Sequence, residues 1–98
     1  MKSRSSRSRE AAETLAIQAL AFIAEEPDRL GTFLNATGLT PDGIRESATQ
    51  PDFLAGVLEH MLADESLLVA FADSAGIDPA DIARARGAFG GHWERDLP

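Results

Sequence analysis

Proline and glycine divide this chain into short segments that carry apolar residues at helical spacing. Proline stands at the start of four segments and glycine at the end of two: Pro27, Pro41, Pro51 and Pro79, then Gly38 and Gly76. Proline is tolerated in the first turn of a helix, and glycine is favoured just after the last turn. No segment alternates with the period of two that marks a half-buried strand. The sequence therefore predicts an all-α fold, a compact bundle of five to six short helices.

The first predicted helix runs from about Arg9 to Glu26 and carries the widest apolar arc. Ile17 and Leu20 extend its apolar face, so we expect this helix to be buried on most sides and to form the centre of the fold. In the short helix that opens at Thr40-Pro41, Ile44 and Ala48 are expected to point inward.

An internal similarity appears when the chain is compared with itself at an offset of 38 residues. Both copies read helix, helix, then Phe-x4-Gly-apolar-x-Pro-x2-Ile, ending at Ile44 in the first copy and Ile82 in the second. We interpret this as a possible tandem pair of three-helix units packed face to face, since one such unit buries little on its own. The alternative is that any short helical hairpin carries glycine and proline at its turn.

Charge is distributed unevenly along the chain. The whole sequence has 9 Lys+Arg against 16 Asp+Glu, a net charge of -7, yet the Ser/Arg-rich residues 1–9 contain four bases and no acid. Such a segment has too little apolar surface to offset the entropy of ordering. We therefore predict a disordered basic arm at 1–9, a single helical domain at 10–91 and a short C-terminal tail at 92–98.

The composition argues against most chemistry. With no cysteine, the chain has no disulfide, no thiolate metal site and no cysteine nucleophile. His60 and Asp64 share one helix face but supply only two metal ligands. Most of the acids lie at helix ends, where carboxylates act as caps. We expect no enzyme activity, no catalytic residues, no cofactor and no metal.

The basic arm and the apolar run 15–24 together resemble the start of a secretory signal, but Glu10 and Glu13 interrupt that pattern. This run of ten residues, interrupted by Gln18, is also too short to span a bilayer. We expect a cytoplasmic protein that does not enter the membrane.

One motif indicates a competing function. Ala72, Gly76, Ile77 and Ile82 have the spacing of a DNA-binding helix-turn-helix. Asp81 would lie where such a helix needs donors to phosphates or bases, and the acidic body disfavours a nucleic-acid partner. A helix-turn-helix-like nucleic-acid-binding regulator remains the alternative.

The preferred hypothesis rests on an excess of large apolar residues over what so small a core needs. We expect a non-enzymatic protein-interaction module or small regulator, with an apolar groove between the repeats that receives a helix of an unidentified protein partner or a second copy of the chain. The residues expected to contact the partner are Ile17, Phe22, Met61 and Trp93.

The apolar pattern is also similar to that of a known family. The residues that carry the likeness are Leu30-Gly31-x-Phe33-Leu34, Gly38-Leu39, Gln50-Pro51-Asp52-Phe53-Leu54, Val57-Leu58, Leu62-Ala63-Asp64-Glu65-Ser66-Leu67-Leu68 and Phe71. Over roughly residues 13–90 the chain resembles the small bacterial proteins catalogued as domain of unknown function 3572. The family's pattern has an aromatic residue where His60 stands, which weakens the case for His60 as a ligand. The resemblance implies no activity.

Overall fold

The structure, a computed structural model, describes residues 2–48 and 50–89, with side chains from Arg9 onward. This part of the chain forms six helices and contains no strand. The helices are α1 (Lys2–Ala24), α2 (Pro27–Thr37), α3 (Pro41–Ser47), α4 (Pro51–Leu62), α5 (Glu65–Ala75) and α6 (Pro79–Phe89). The predicted all-α bundle is confirmed.

Side-chain caps stabilise the first turns of α3 and α5. The Thr40 hydroxyl accepts a hydrogen bond from the backbone N–H of Gly43 at 3.1 Å. The Asp64 carboxylate accepts one from the N–H of Leu67 at 3.2 Å. Each cap satisfies a backbone donor that has no partner within its own helix, so the boundaries are set locally.

Two glycines end helices in the same way. Gly38 and Gly76 have φ angles of 75° and 70°, in the left-handed region where a β-carbon is strained. The N–H of Gly38 donates to the carbonyl of Leu34 at 2.8 Å, and the N–H of Ile77 donates to that of Ala72 at 2.9 Å. Both predicted helix stops are therefore present.

The core lies where α1, α4 and α6 pack against one another. The largest fully buried side chains come mainly from α1, α4 and α6: Ile23, Phe33, Leu54, Val57, Leu58, Met61 and Ile82. α1 lies at the centre, as expected, but the buried part of its surface is narrower than its apolar residues suggest. Ile17 is 50% exposed, because the helices that cover α1 pack on its other faces.

The two halves of the chain share an element order but not a packing arrangement. We call α1–α3 the first half and α4–α6 the second half. α6 has 11 residues and buries Ile82 completely, whereas α3 has 7 residues and buries none. Ile44 and Ala48 pack against the core from α3, as expected, but α3 lies at the edge of the bundle and leaves both residues half-buried. A true duplication stays a prediction.

The first helix of the structure, α1, begins at Lys2. The guanidinium of Arg9 lies 5.7 Å from the ring centre of Phe89, the last described residue of α6. The division into arm, domain and tail stays a prediction, and the tail at 92–98 lies outside the described residues.

Among the helices of the described chain, none combines the length and the apolar character needed to cross a membrane.

Candidate functional site

An apolar groove runs along one face of α1 and separates it from α3. We call it the α1–α3 groove. Its volume is about 420 Å³, and its lining residues are Ile17, Leu20, Ala21, Ala24, Leu30, Pro41, Ile44, Arg45 and Ala48. The α1 wall comprises residues three and four apart, which is why they share one helix face. Arg45 is the single charged residue in the lining.

Ile17 forms the exposed edge of this groove. Half of its surface is accessible, and the only other large apolar side chain so exposed in the described chain is Val69 on α5, at 51%. An exposed isoleucine is unremarkable on its own, since folded proteins expose much apolar surface. Ile17 differs because its side chain continues into an apolar depression.

The groove exists because α3 is not attached to α1 as α6 is attached to α4. In the second half, Arg86 donates to the Glu59 carboxylate, with Nε to Oε2 at 2.7 Å and Nη2 to Oε2 at 2.6 Å. The 38-residue offset places Ala21 and Ala48 at the corresponding positions of the first half. Two methyl groups provide no such attachment, so the space between the helices stays open and apolar.

This correspondence is the signal that sequence reasoning missed. The internal similarity consists of residues that match between the two halves, whereas the groove lies where the halves differ: small residues in the first half stand in place of a charged pair in the second. Leu30, Ile44 and Ala48 pack against the core and also form part of the groove wall.

Two of the residues expected to contact a partner are buried. Phe22 is 9% exposed and Met61 is 0% exposed. Phe22 packs against Phe71 with ring centres 5.4 Å apart, and the Arg29 guanidinium covers its ring at 4.1 Å. That expectation is corrected for both, because their faces of α1 and α4 are occupied by other helices of the same chain.

The remaining two residues expected to contact a partner are Ile17 and Trp93. Ile17 is exposed and lines the groove. Trp93 lies outside the described residues.

A polar depression of about 270 Å³ lies near the start of α5. It is lined by Asp28, Arg29, Thr32, His60, Asp64, Ser66 and Leu67. The His60 ring stands edge-on to Phe33 at 5.1 Å between ring centres. Burial lowers the pKa of His60, and the nearby Asp64 carboxylate opposes that shift in part.

The chemistry available in this depression is limited. Asp64 is engaged as the cap of α5, and Arg29 donates to the carbonyl oxygen of Phe22 at 3.2 Å. In the described part of the chain, no three His, Asp or Glu side chains come together as a metal site would require.

A second apolar depression, of about 520 Å³, lies between α1 and α6. It is lined by Ala11, Ala12, Leu15, Asp81, Arg84, Ala85 and Ala88. Its apolar wall consists of alanines and one half-buried leucine, so it offers a partner less apolar anchorage than the α1–α3 groove.

The helix-turn-helix alternative depends on the surface of α6. Arg84 forms an ion pair with Asp81 one turn earlier, and Arg86 is 7% exposed and paired with Glu59 of α4. Both bases of this helix are thus engaged by carboxylates. A recognition helix needs such side chains for phosphates and bases, so the geometry gives this alternative no support.

Comparison with known proteins gives one match. Searches of curated proteins and of solved structures each return no significant match. A family model described as "Protein of unknown function (DUF3572)" matches residues 9–92, which is most of the chain and includes all the groove-lining residues. The resemblance predicted from the apolar pattern is confirmed, and this chain belongs to the DUF3572 family of proteins of unknown function.

Proposed function

We propose that this protein is a non-enzymatic interaction module that binds an apolar helix face in the α1–α3 groove. The observation that carries the proposal is the half-exposed Ile17 at the edge of an otherwise apolar groove. Burying one isoleucine side chain contributes about 1.5–3 kcal/mol, and the neighbouring groove residues add to that when a partner covers them.

The dimensions of the groove suit a short stretch of helix. Ile17 and Ala24 are seven residues apart, so the α1 wall is about 10 Å long at 1.5 Å per residue. That length matches about two turns of a bound helix, which would present apolar residues at positions i, i+3 or i+4, and i+7. The single Arg45 would remain at the rim and pair with an acid or a carbonyl of the partner.

Site-specific photo-crosslinking in the native cell tests the proposal. A photoreactive phenylalanine analogue is introduced at Ile17 in one strain and at Val69 in another. Val69 is the matched control, because it is equally exposed and is not among the residues that line the groove. The proposal predicts a discrete covalent adduct from position 17 that is absent from position 69.

A second substitution checks that the adduct reports the groove. Ile44→Glu places a charge on the opposite wall, and the adduct from position 17 should disappear. Equal crosslinking from both positions, or an adduct that persists when Ile44 is replaced by Glu, would show that the groove is not a docking site.

A further inference from the structure

The one charge that borders the α1–α3 groove indicates what kind of helix the groove accepts. We infer that the partner is an amphipathic helix with a carboxylate beside its apolar stripe, on the flank that faces α3, and that this carboxylate pairs with Arg45. The inference rests on the proposed function and specifies the chemistry of the partner. It follows from the contacts of the arginines, the composition of the two groove walls and the net charge of the chain.

Arg45 differs from the other arginines in its contacts. Four of the five arginines whose side chains the structure describes lie against an acid or an aromatic ring of the same chain: Arg9, Arg29, Arg84 and Arg86. Arg45 is exposed, and within the described part of the chain no acid or aromatic ring contacts it. A helix that fills the groove displaces part of the water around this guanidinium, so an acceptor on the partner must replace that water.

The two walls of the groove differ in charge. The α3 wall consists of residues at three- and four-residue spacing: Pro41, Ile44, Arg45 and Ala48. The acids of α3, Asp42 and Glu46, are not among the lining residues, and the α1 wall is entirely apolar. A helix bound between the walls therefore meets a positive charge on one flank only. An acid is favoured on that flank and gains nothing on the other.

A side-chain carboxylate is the acceptor that a bound helix can best offer to Arg45. The backbone carbonyls of a helix, apart from those of its last turn, accept hydrogen bonds within the helix itself. The acceptor on the flank must therefore be a side chain. A carboxylate matches the planar fork of a guanidinium with two parallel charge-assisted hydrogen bonds, whereas an amide offers one neutral oxygen. We therefore expect aspartate or glutamate at this position of the partner.

The net charge of the chain limits how acidic the partner can be. The chain carries a net charge of -7, and the exposed Glu25 and Glu26 directly follow Ala24 at the end of the α1 wall. A long run of acids on the partner would be repelled by these carboxylates, because charges within about 8 Å are not screened at physiological salt. The groove therefore selects an acid placed opposite Arg45 and not general acidity.

Selection from a displayed library of helical peptides tests the inference. The peptides are about 20 residues long, so that they can form a stable helix when bound. They carry leucine at positions i, i+3 and i+7 and random residues on both flanks of that stripe, and they are selected on the immobilised full chain. We expect aspartate or glutamate to be enriched on one flank only. Selection on Arg45→Glu should enrich lysine or arginine at the same peptide position.

A charge-matched variant separates Arg45 from the effect of net charge. Arg84→Glu makes the same change in net charge at an exposed side chain of α6 outside the groove, and it should leave the enrichment as in the wild type. Ile17→Glu should abolish binding of the selected peptides, because it places a charge in the apolar contact. All variants should keep the helical circular dichroism of the wild type.

Titration of one selected peptide, followed by fluorescence anisotropy, measures the pair directly. Arg45→Gln should raise the dissociation constant about threefold, and Arg45→Glu should raise it about tenfold, since loss of attraction is then joined by repulsion. The peptide in which lysine replaces the selected acid should bind Arg45→Glu more tightly than it binds the wild type.

The outcomes separate this inference from the proposed function. If the selected peptides require Ile17 but show no acid on one flank, or show the same acid on Arg45→Glu, the inference is wrong and the interaction module stands. If no selected peptide requires Ile17, both are wrong. Sedimentation of the chain alone tests a second copy as occupant. A species of twice 10.5 kDa that Ile17→Glu dissociates would overturn the inference, because the groove would then be filled by the chain itself.

Discussion

The two halves of this protein show how similar local signals lead to different tertiary outcomes. α3 and α6 both follow a left-handed glycine and both begin with proline after a capping side chain. α6 nevertheless packs between α1 and α4 and is tied to α4 through Glu59 and Arg86, whereas α3 buries no residue and leaves a groove beside α1. Local sequence sets where a helix starts and stops, and the residues on its faces decide whether it joins the core.

The largest difference in stability between the halves is expected for Ile44 and Ile82, which occupy equivalent positions at the 38-residue offset. Ile82→Ala should lower the free energy of unfolding by about 2–4 kcal/mol, since the side chain is fully buried and its removal leaves a cavity. Ile44→Ala should cost less than about 1 kcal/mol, because Ile44 is already partly open to solvent in the groove. Urea denaturation of each variant measures both values, and equal losses would show that α3 is as much a part of the core as α6.

The ion pairs of the two halves should also differ in how much they contribute to the free energy of unfolding. Glu59→Gln should cost about 1–2 kcal/mol, because it removes the charged partner of a largely buried arginine, Arg86. Glu26→Gln in the first half removes a more exposed contact with Arg29 at 3.7 Å and should cost no more than about 0.5 kcal/mol. Denaturant unfolding provides the values. If Glu59→Gln proves neutral, the pair is not what holds α6 in place.

Replacing the helix-ending glycine should have the same effect on stability in both halves. Gly38→Ala and Gly76→Ala should each cost about 1 kcal/mol, because alanine is strained at these positive φ angles. Apart from its own chain neighbours, a β-carbon at either position would meet no heavy atom within 4 Å, so the cost comes from the backbone conformation. Unequal costs in thermal or urea unfolding would indicate that the tertiary surroundings, and not the turn itself, determine these positions.

The smallest expected effect is a dependence of stability on pH that arises from His60 in the second half. The folded state holds the pKa of His60 below its usual value of 6.5, so protonation favours the unfolded chain. Stability should therefore be unaffected by His60 above about pH 6.5 and should fall as the pH drops below that value, until the folded-state pKa is passed.

A variant isolates this contribution. His60→Gln should lose less stability than the wild type between about pH 7 and pH 5. The charged groups that line the same depression, Asp28, Arg29 and Asp64, are unchanged in the variant. Parallel pH profiles for the two proteins would rule out His60 as a source of acid sensitivity. The equivalent position in the first half is Phe22, which does not titrate.

The candidate site was only partly predictable. Ile17 was identified because it is a large apolar residue on a helix that already has a wide apolar face. Phe22 and Met61 were selected on the same reasoning and are buried, because periodicity identifies an apolar face without showing which neighbour covers it. The different packing of α3 and α6 could not be predicted from their similar local signals, since α6 contacts α4 through Glu59 and Arg86, 27 residues apart, and the corresponding positions of the first half are Ala21 and Ala48.

The sequence by itself determined the helices and, apart from the N-terminal end of α1, their approximate limits. Proline, capping side chains and glycine act within one or two turns, so their effects can be read without knowledge of the rest of the fold. The tertiary structure alone decided which apolar residues became core and which became surface. That outcome depends on packing between distant helices, where a buried Arg86 attaches one helix and two alanines leave its counterpart beside an open groove.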